Sequence, residues 1–175
     1  MRAKVSIGEE QIVYGNVIIR GATPWAADQT VYDGPFTLEK LFRQNICHQS
    51  MFYPRSVVGQ IGYYNPNYRV TSDWDYNLRC WARYRFAFAD RIIANFMAGG
   101  KSTSEAGDNS MQSDFPANVI RYFNLNPDDP SLLSGTSPFY YPASQYRITE
   151  MARELDELRD ELHRRDRAER RIVPA

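Results

Sequence analysis

The hydrophobic pattern is strand-like at the start of the chain and helical at its end. Gln11-Ile12-Val13-Tyr14-Gly15-Asn16-Val17-Ile18-Ile19 is β-branched and aromatic, interrupted by a polar step at Gly15-Asn16. That pattern predicts one strand, or two short strands about a turn or bulge. Residues 21–35 carry Gly21, Pro24, Gly34 and Pro35 and are expected to form a loop. Thr37 can cap a short helix through Phe42 whose apolar face is Leu38, Leu41 and Phe42. Residues 47–53 are expected to be extended, and residues 55–61 to form a short helix closed by Gly62. A turn-rich run, Tyr63 to Tyr68, separates that helix from one capped by Ser72 or Asp73 and reaching about Arg83, with Leu78 and Trp81 on one face. Phe86-Ala87-Phe88 and Ile92 to Phe96 predict strands around Ala89-Asp90-Arg91, and Gly99-Gly100 ends the second. Residues 102–115 are small and polar, which suggests a mobile loop, with a helix over 118–123.

The last segment differs in kind. Ile148, Met151, Leu155, Leu158 and Leu162 are spaced 3, 4, 3, 4, the a/d seam of a coiled coil, with charges nearly everywhere between. The acid-before-base pairs Asp160/Arg164 and Glu161/Arg165 favour a helix at these positions. A domain over residues 1–125, a linker over 126–145 and an amphipathic helix over 146–172 follow. The helix either packs on its own domain or joins a second copy or a complementary subunit.

Composition narrows the function classes. The chain has 175 residues, enough for one ordinary domain and an appendage, and at 43% hydrophobic and 14% aromatic it is globular. Twenty-one basic residues balance 21 acidic ones, so no overall field draws the chain to nucleic acid or acidic membranes. Cys47 and Cys80 are far apart and accompanied by two histidines, too few for a structural zinc site. They are expected as free, buried thiols in a reducing compartment. No apolar run approaches a membrane span, and Met1-Arg2-Ala3-Lys4 leads into Glu9-Glu10 without a signal-peptide core. A cytoplasmic protein is expected, with association at the inner face of the membrane left open.

Candidate chemistry is densest at Thr71-Ser72-Asp73-Trp74-Asp75-Tyr76-Asn77-Leu78-Arg79. Asp73 and Asp75 stand at a helix start, where two carboxylates two residues apart diverge by about 200°, so at most one faces a cleft. Either can instead cap the helix or complement its dipole. Asp73-Trp74-Asp75 also fits an Asp-x-Asp metal pattern, but that pattern needs a strand end and nucleotide pocket ahead of it, and none is recognisable. No metal ligand is expected in the chain. Arg79 is placed to pair with Asp75 at i, i+4.

The order of these segments carries more than any one of them. Val13-Tyr14-Gly15-Asn16, Ile46-Cys47-His48-Gln49-Ser50-Met51-Phe52-Tyr53, Ile61-Gly62-Tyr63-Tyr64, Tyr68 to Asp75, and Phe96-Met97-Ala98-Gly99-Gly100-Lys101-Ser102 follow one another. The series, over about residues 11–104, resembles family 2 glycosyltransferases of the branch that builds bacterial surface polysaccharides. The resemblance implies an α/β fold, a partial GT-A-like mixed sheet with flanking helices, and inverting transfer of a sugar from a nucleotide donor to an acceptor hydroxyl. It makes Asp73 the general base, with Asp75 tuning or orienting it. His48 and Gln49 match the family's His-Gln element near the cleft. Trp74 lies beside the base, and Gly99, Gly100, Lys101 and Ser102 match the element preceding a loop over the donor phosphates. Only ten residues precede Gln11, so the donor-binding half is expected to be missing. Magnesium or manganese would be needed only where that half is supplied. The expected partners are a nucleotide-sugar donor and a sugar or glycolipid acceptor. A non-catalytic acceptor-binding partner of a complete transferase is the alternative.

Overall fold

The computed structural model describes residues 10–100, Thr103 and residues 109–172. Residues to Phe115 form one compact unit and those from Pro116 a second. The first is a mixed sheet with flanking helices, the fold class expected from the sequence.

The sheet is built on β1 (Ile12–Arg20). Strands β2 (Val31–Tyr32) and β3 (Met51–Phe52) run antiparallel to it, pairing at Val17↔Tyr32 and Tyr14↔Met51. Strand β4 (Phe86–Met97) runs parallel to β1 along its whole length, from Ile12↔Phe86 to Arg20↔Met97. Because a strand has two edges, β2 and β3 share the edge that β4 leaves. In β1 the fully buried apolar positions are even before Gly15 (Ile12, Tyr14) and odd after Asn16 (Val17, Ile19). The change of phase coincides with an irregular ladder, in which Tyr14 pairs Phe88 but Asn16 pairs Ile92. The expected break at Gly15-Asn16 is thus a bulge inside one strand. The two strands expected at 86–88 and 92–96 are likewise one strand, with Ala89-Asp90-Arg91 as its irregular middle. Gly15 permits this close approach, since a Cβ there would meet Ile93 Cγ1 at 2.5 Å and the Arg91 carbonyl at 2.7 Å.

The helices follow from local signals. In α1 (Leu38–Leu41) Thr37 caps by accepting the Lys40 N–H at 3.2 Å, as its position predicts. In α2 (Ser56–Ile61) Gly62 closes the helix at φ +82°, a left-handed value natural to glycine. Helix α3 (Ser72–Trp81) starts and ends earlier than expected, with Thr71 in the cap position and no side-chain cap bond, so Asp73 sits in its first turn. Behind it, Ile12, Val57, Tyr76 and Cys80 make a core cluster, and Tyr14 meets Phe36, Phe86 and Phe88 edge-on or tilted. Cys80 is free and buried, while Cys47 is free but only partly covered.

Two further expectations need correction. Residues 47–53 are not uniformly extended, because Ser50 returns both its N–H (3.0 Å) and its hydroxyl (2.9 Å) to the Cys47 carbonyl and closes a 3-10 turn over His48–Ser50. The loop expected through Phe115 gives way to α4 (Asn109–Tyr122), where buried Met111 and Phe115 stand at i, i+4. That apolar pair outweighs the polar composition around it.

In the second unit a 3-10 turn over Pro130–Leu133 is capped by Asp129, which accepts the Ser131 N–H at 2.9 Å. Helix α5 (Tyr140–Ile172) begins ahead of residue 146, with Pro142 tolerated near its start. Residues 126–145, expected as a linker, bury Leu132 and Ala143 beside Ile120, with Leu125, Leu133, Phe139 and Tyr146 packed around them. Among the described residues no helix is long and apolar enough to cross a membrane.

Candidate functional site

A cleft of about 600 Å³ opens in the first unit where the later half of β1, the end of β4 and the start of α3 converge. Val17, Ile19 and Phe96 give it an apolar wall, and Trp25 and Tyr32 extend that wall with rings. Trp25 stands on the loop after β1, fixed by the Thr23–Ala26 turn, and its ring lies 5.6 Å from Tyr32 and 5.9 Å from Phe96. Across from them lie His48, Arg69, Thr71, Asp73 and Trp74.

His48 and Asp73 meet on the cleft wall, with His48 Nδ1 3.1 Å from Asp73 Oδ2. The other carboxylate oxygen accepts the Trp74 N–H at 2.8 Å. The His48 side chain is 54% exposed and that of Asp73 26%, so both reach solvent and any ligand in the cleft. Asn77, one helical turn after Asp73 and fully buried, holds the pair in register. Its amide donates to Asn45 Oδ1 (2.8 Å) and the Ile46 carbonyl (3.3 Å), and its oxygen accepts from Tyr53 at 2.6 Å. Those partners flank the His48 turn on both sides, so Asn77 ties α3 to the turn. Trp74 adds a second tie, donating its indole N–H to the Leu41 carbonyl at 2.7 Å at the end of α1.

The hydrogen bond that His48 makes to Asp73, together with the charge of the carboxylate, raises the His48 pKa above the ordinary 6.5, against a smaller opposing effect of burial. Asp73 also adds to the upward shifts of Tyr32, Tyr64 and Cys47, in each of which burial is the largest cause. We expect an NMR titration to place His48 above 6.5 in the native chain and to return it toward 6.5 in Asp73→Asn. A His48 titration unchanged by that substitution would contradict the pairing. The folding contribution has the matching sign: it is present below the unfolded value near 6.5 and is lost as pH rises through the higher folded value.

The structure separates the remaining sequence candidates. Asp75 is 1% exposed, does not line the cleft, and pairs with Arg79 at 3.0 Å, the i, i+4 partner expected for it. The two carboxylates thus diverge on the helix, and Asp75 does not join Asp73 at the cleft surface. Gln49 is exposed outside the cleft lining. Gly99 and Gly100 form a turn after β4, with Gly99 at φ +95° donating its N–H to Thr103 Oγ1 at 2.8 Å, and they too lie outside the lining. Lys101 and Ser102 lie outside the described residues. No group of three or more His, Cys, Asp or Glu side chains suited to a metal ion occurs among the described residues. Sequence reasoning missed Asn77, Arg69 and the Trp25–Tyr32–Phe96 wall. Asn77 could have been found as an amide on the apolar side of a helix, four residues from Asp73. The wall could not, since its rings come from three separated segments.

No family model and no solved structure matches the chain. Curated mycobacterial proteins do. The chain is 44% identical over 86 residues to a protein named PGL/p-HBAD biosynthesis glycosyltransferase from Mycobacterium bovis (strain BCG / Pasteur 1173P2), and equally to one of that name from Mycobacterium tuberculosis (strain ATCC 25177 / H37Ra). Each match takes in 46% of this chain and 31% of the relative. The chain therefore spans less than a third of the length of the glycosyltransferases it is similar to, over a stretch equal to about half of its own.

Proposed function

We propose that this chain is the acceptor-side part of an inverting, GT-A, family 2 glycosyltransferase that moves a sugar from a nucleotide donor to an acceptor hydroxyl in polysaccharide or glycolipid biosynthesis. The observation that carries the proposal is the His48–Asp73 pair, 3.1 Å apart on the wall of an otherwise largely apolar cleft. The printed names of the mycobacterial relatives support sugar transfer as the reaction.

Asp73 is the base. Each of its oxygens already receives one N–H, but a carboxylate has about four lone-pair sites, so about two remain and one can take the acceptor hydroxyl. As the acceptor oxygen attacks the anomeric carbon, its proton passes to Asp73 and the bond to the diphosphate breaks on the opposite side of the sugar. Inversion follows. His48 holds Asp73 Oδ2 in place, and the Trp74 N–H fixes the other oxygen, so the carboxylate does not need to reorganise. Trp25, Tyr32 and Phe96 offer flat apolar surface to the C–H face of a sugar ring. Thr71 also lines the cleft, next to the start of α3. Arg69 is the one Lys or Arg among the described lining residues and supplies positive charge where phosphate oxygens gather. Magnesium or manganese, tied by the resemblance to donor binding, finds no ligand set among the described residues, and none of these steps depends on it.

The test is a transfer assay on the protein in its full-length form, with UDP-, GDP- and dTDP-linked hexoses and simple alkyl and aryl glycosides as acceptors. Nucleoside diphosphate release that depends on acceptor is expected. Absence of release across the whole panel would refute the proposal.

A further inference from the structure

Helix α5 carries an apolar seam that its own unit does not cover. Ile148, Met151, Leu155, Leu158 and Leu162 are each between 56% and 64% exposed. The start of the same helix packs Ala143 and Tyr146 on the core around Leu132. At 3.6 residues per turn, that packed face and the seam are separated by roughly 130° around the axis. The seam is therefore not a continuation of the intrachain contact, and extending that contact along the helix would leave it bare.

We propose that the seam binds a second copy of this chain as a parallel, in-register two-stranded coiled coil over residues 148–162. Ile148, Leu155 and Leu162 take the a positions and Met151 and Leu158 the d positions, so five like-with-like layers form. In this register Glu154 at g faces Arg159 at e of the other copy, giving two opposite-charge pairs across the seam. The next g position, Glu161, meets a second acidic position of the sequence in this register, so that step adds no attraction. Antiparallel arrangements fit less well. One sets Leu155 against Leu158 and Met151 against Leu162, but puts Ile148 opposite Arg165 and Glu154 opposite Glu161 twice. The other sets Ile148 against Leu158 and Met151 against Leu155 and brings Glu161 to Arg147, but it leaves Leu162 opposite Ser144 and Glu154 facing itself. Only the parallel register sets all five seam residues against apolar partners, and that favours the parallel orientation.

Sedimentation of the full chain at a concentration on the order of 100 µM, high enough for so short a seam, is expected to show a dimer. Leu155→Glu should weaken it at least about tenfold while circular dichroism is unchanged, because the residue touches nothing essential in the monomer. Glu154→Arg should weaken the dimer several-fold, and Glu154→Arg with Arg159→Glu should restore it. A wild-type monomer at that concentration would overturn the proposal. So would a Glu154→Arg variant that associates more tightly, since relief of Glu154–Glu161 repulsion is the mark of the antiparallel pair.

Discussion

Asp73→Asn is expected to lower turnover of the full-length protein by about 10²–10⁴-fold, the usual contribution of a positioned general base. The substitution keeps shape and removes proton affinity. The Asn carbonyl can still accept the Trp74 N–H, and α3 begins without a side-chain cap bond from Asp73, so the helix start stays in place. Affinity for the nucleotide sugar should change little, because in the proposed mechanism Asp73 meets the acceptor hydroxyl and not the donor. The loss should therefore appear in turnover with the donor KM nearly constant, the pattern of an interaction made mainly in the transition state. His48→Ala should cost less, since His48 orients the carboxylate without taking the proton. Full turnover in Asp73→Asn would reduce the His48–Asp73 pair to a structural contact and move the base elsewhere in the cleft.

The sequence revealed the site's parts unevenly. Asp73 and His48 were legible because a carboxylate at a helix start and a His-Gln step occur in a characteristic order, and the fold does bring them together at 3.1 Å. Arg79 with Asp75 was legible from helical spacing alone. Which of the two carboxylates faces the cleft was not legible from spacing, because the period does not say which side of a ten-residue helix faces it. The bulge between β1 and β4 was visible only as a polar interruption. Its cause is the approach of the Arg91 carbonyl to Gly15, a contact between residues far apart in the chain. The Trp25–Tyr32–Phe96 wall was hidden for the same reason. Composition misled at 109–115, where two buried apolar side chains a turn apart decide the conformation and the polar majority merely faces water.

Arg79→Met is expected to destabilise the first unit by about 3–5 kcal/mol, the range for breaking one side of a buried ion pair. Asp75 is 1% exposed and Arg79 18%, so the pair has little solvent screening to discount. The guanidinium also donates to the Ile61 and Tyr63 carbonyls at 2.9 Å each and lies 5.0 Å over the Tyr76 ring. Methionine matches the length of the arginine stem but replaces none of these bonds. Lysine keeps the charge but cannot reach three acceptors at once, so Arg79→Lys should recover only part of the loss. A fall in Tm of more than about 10 °C is expected for Arg79→Met in a unit of this size. The consequence should extend to the cleft, because Tyr64, which lines it, directly follows the carbonyl that Arg79 holds. Replacing both partners with leucine distinguishes a stranded buried charge from lost packing: substantial recovery relative to Arg79→Met is expected if the charge is the main cost. A Tm for Arg79→Met within about 2 °C of the native value would mean that the Asp75–Arg79 link does not hold α3 against the segment after α2.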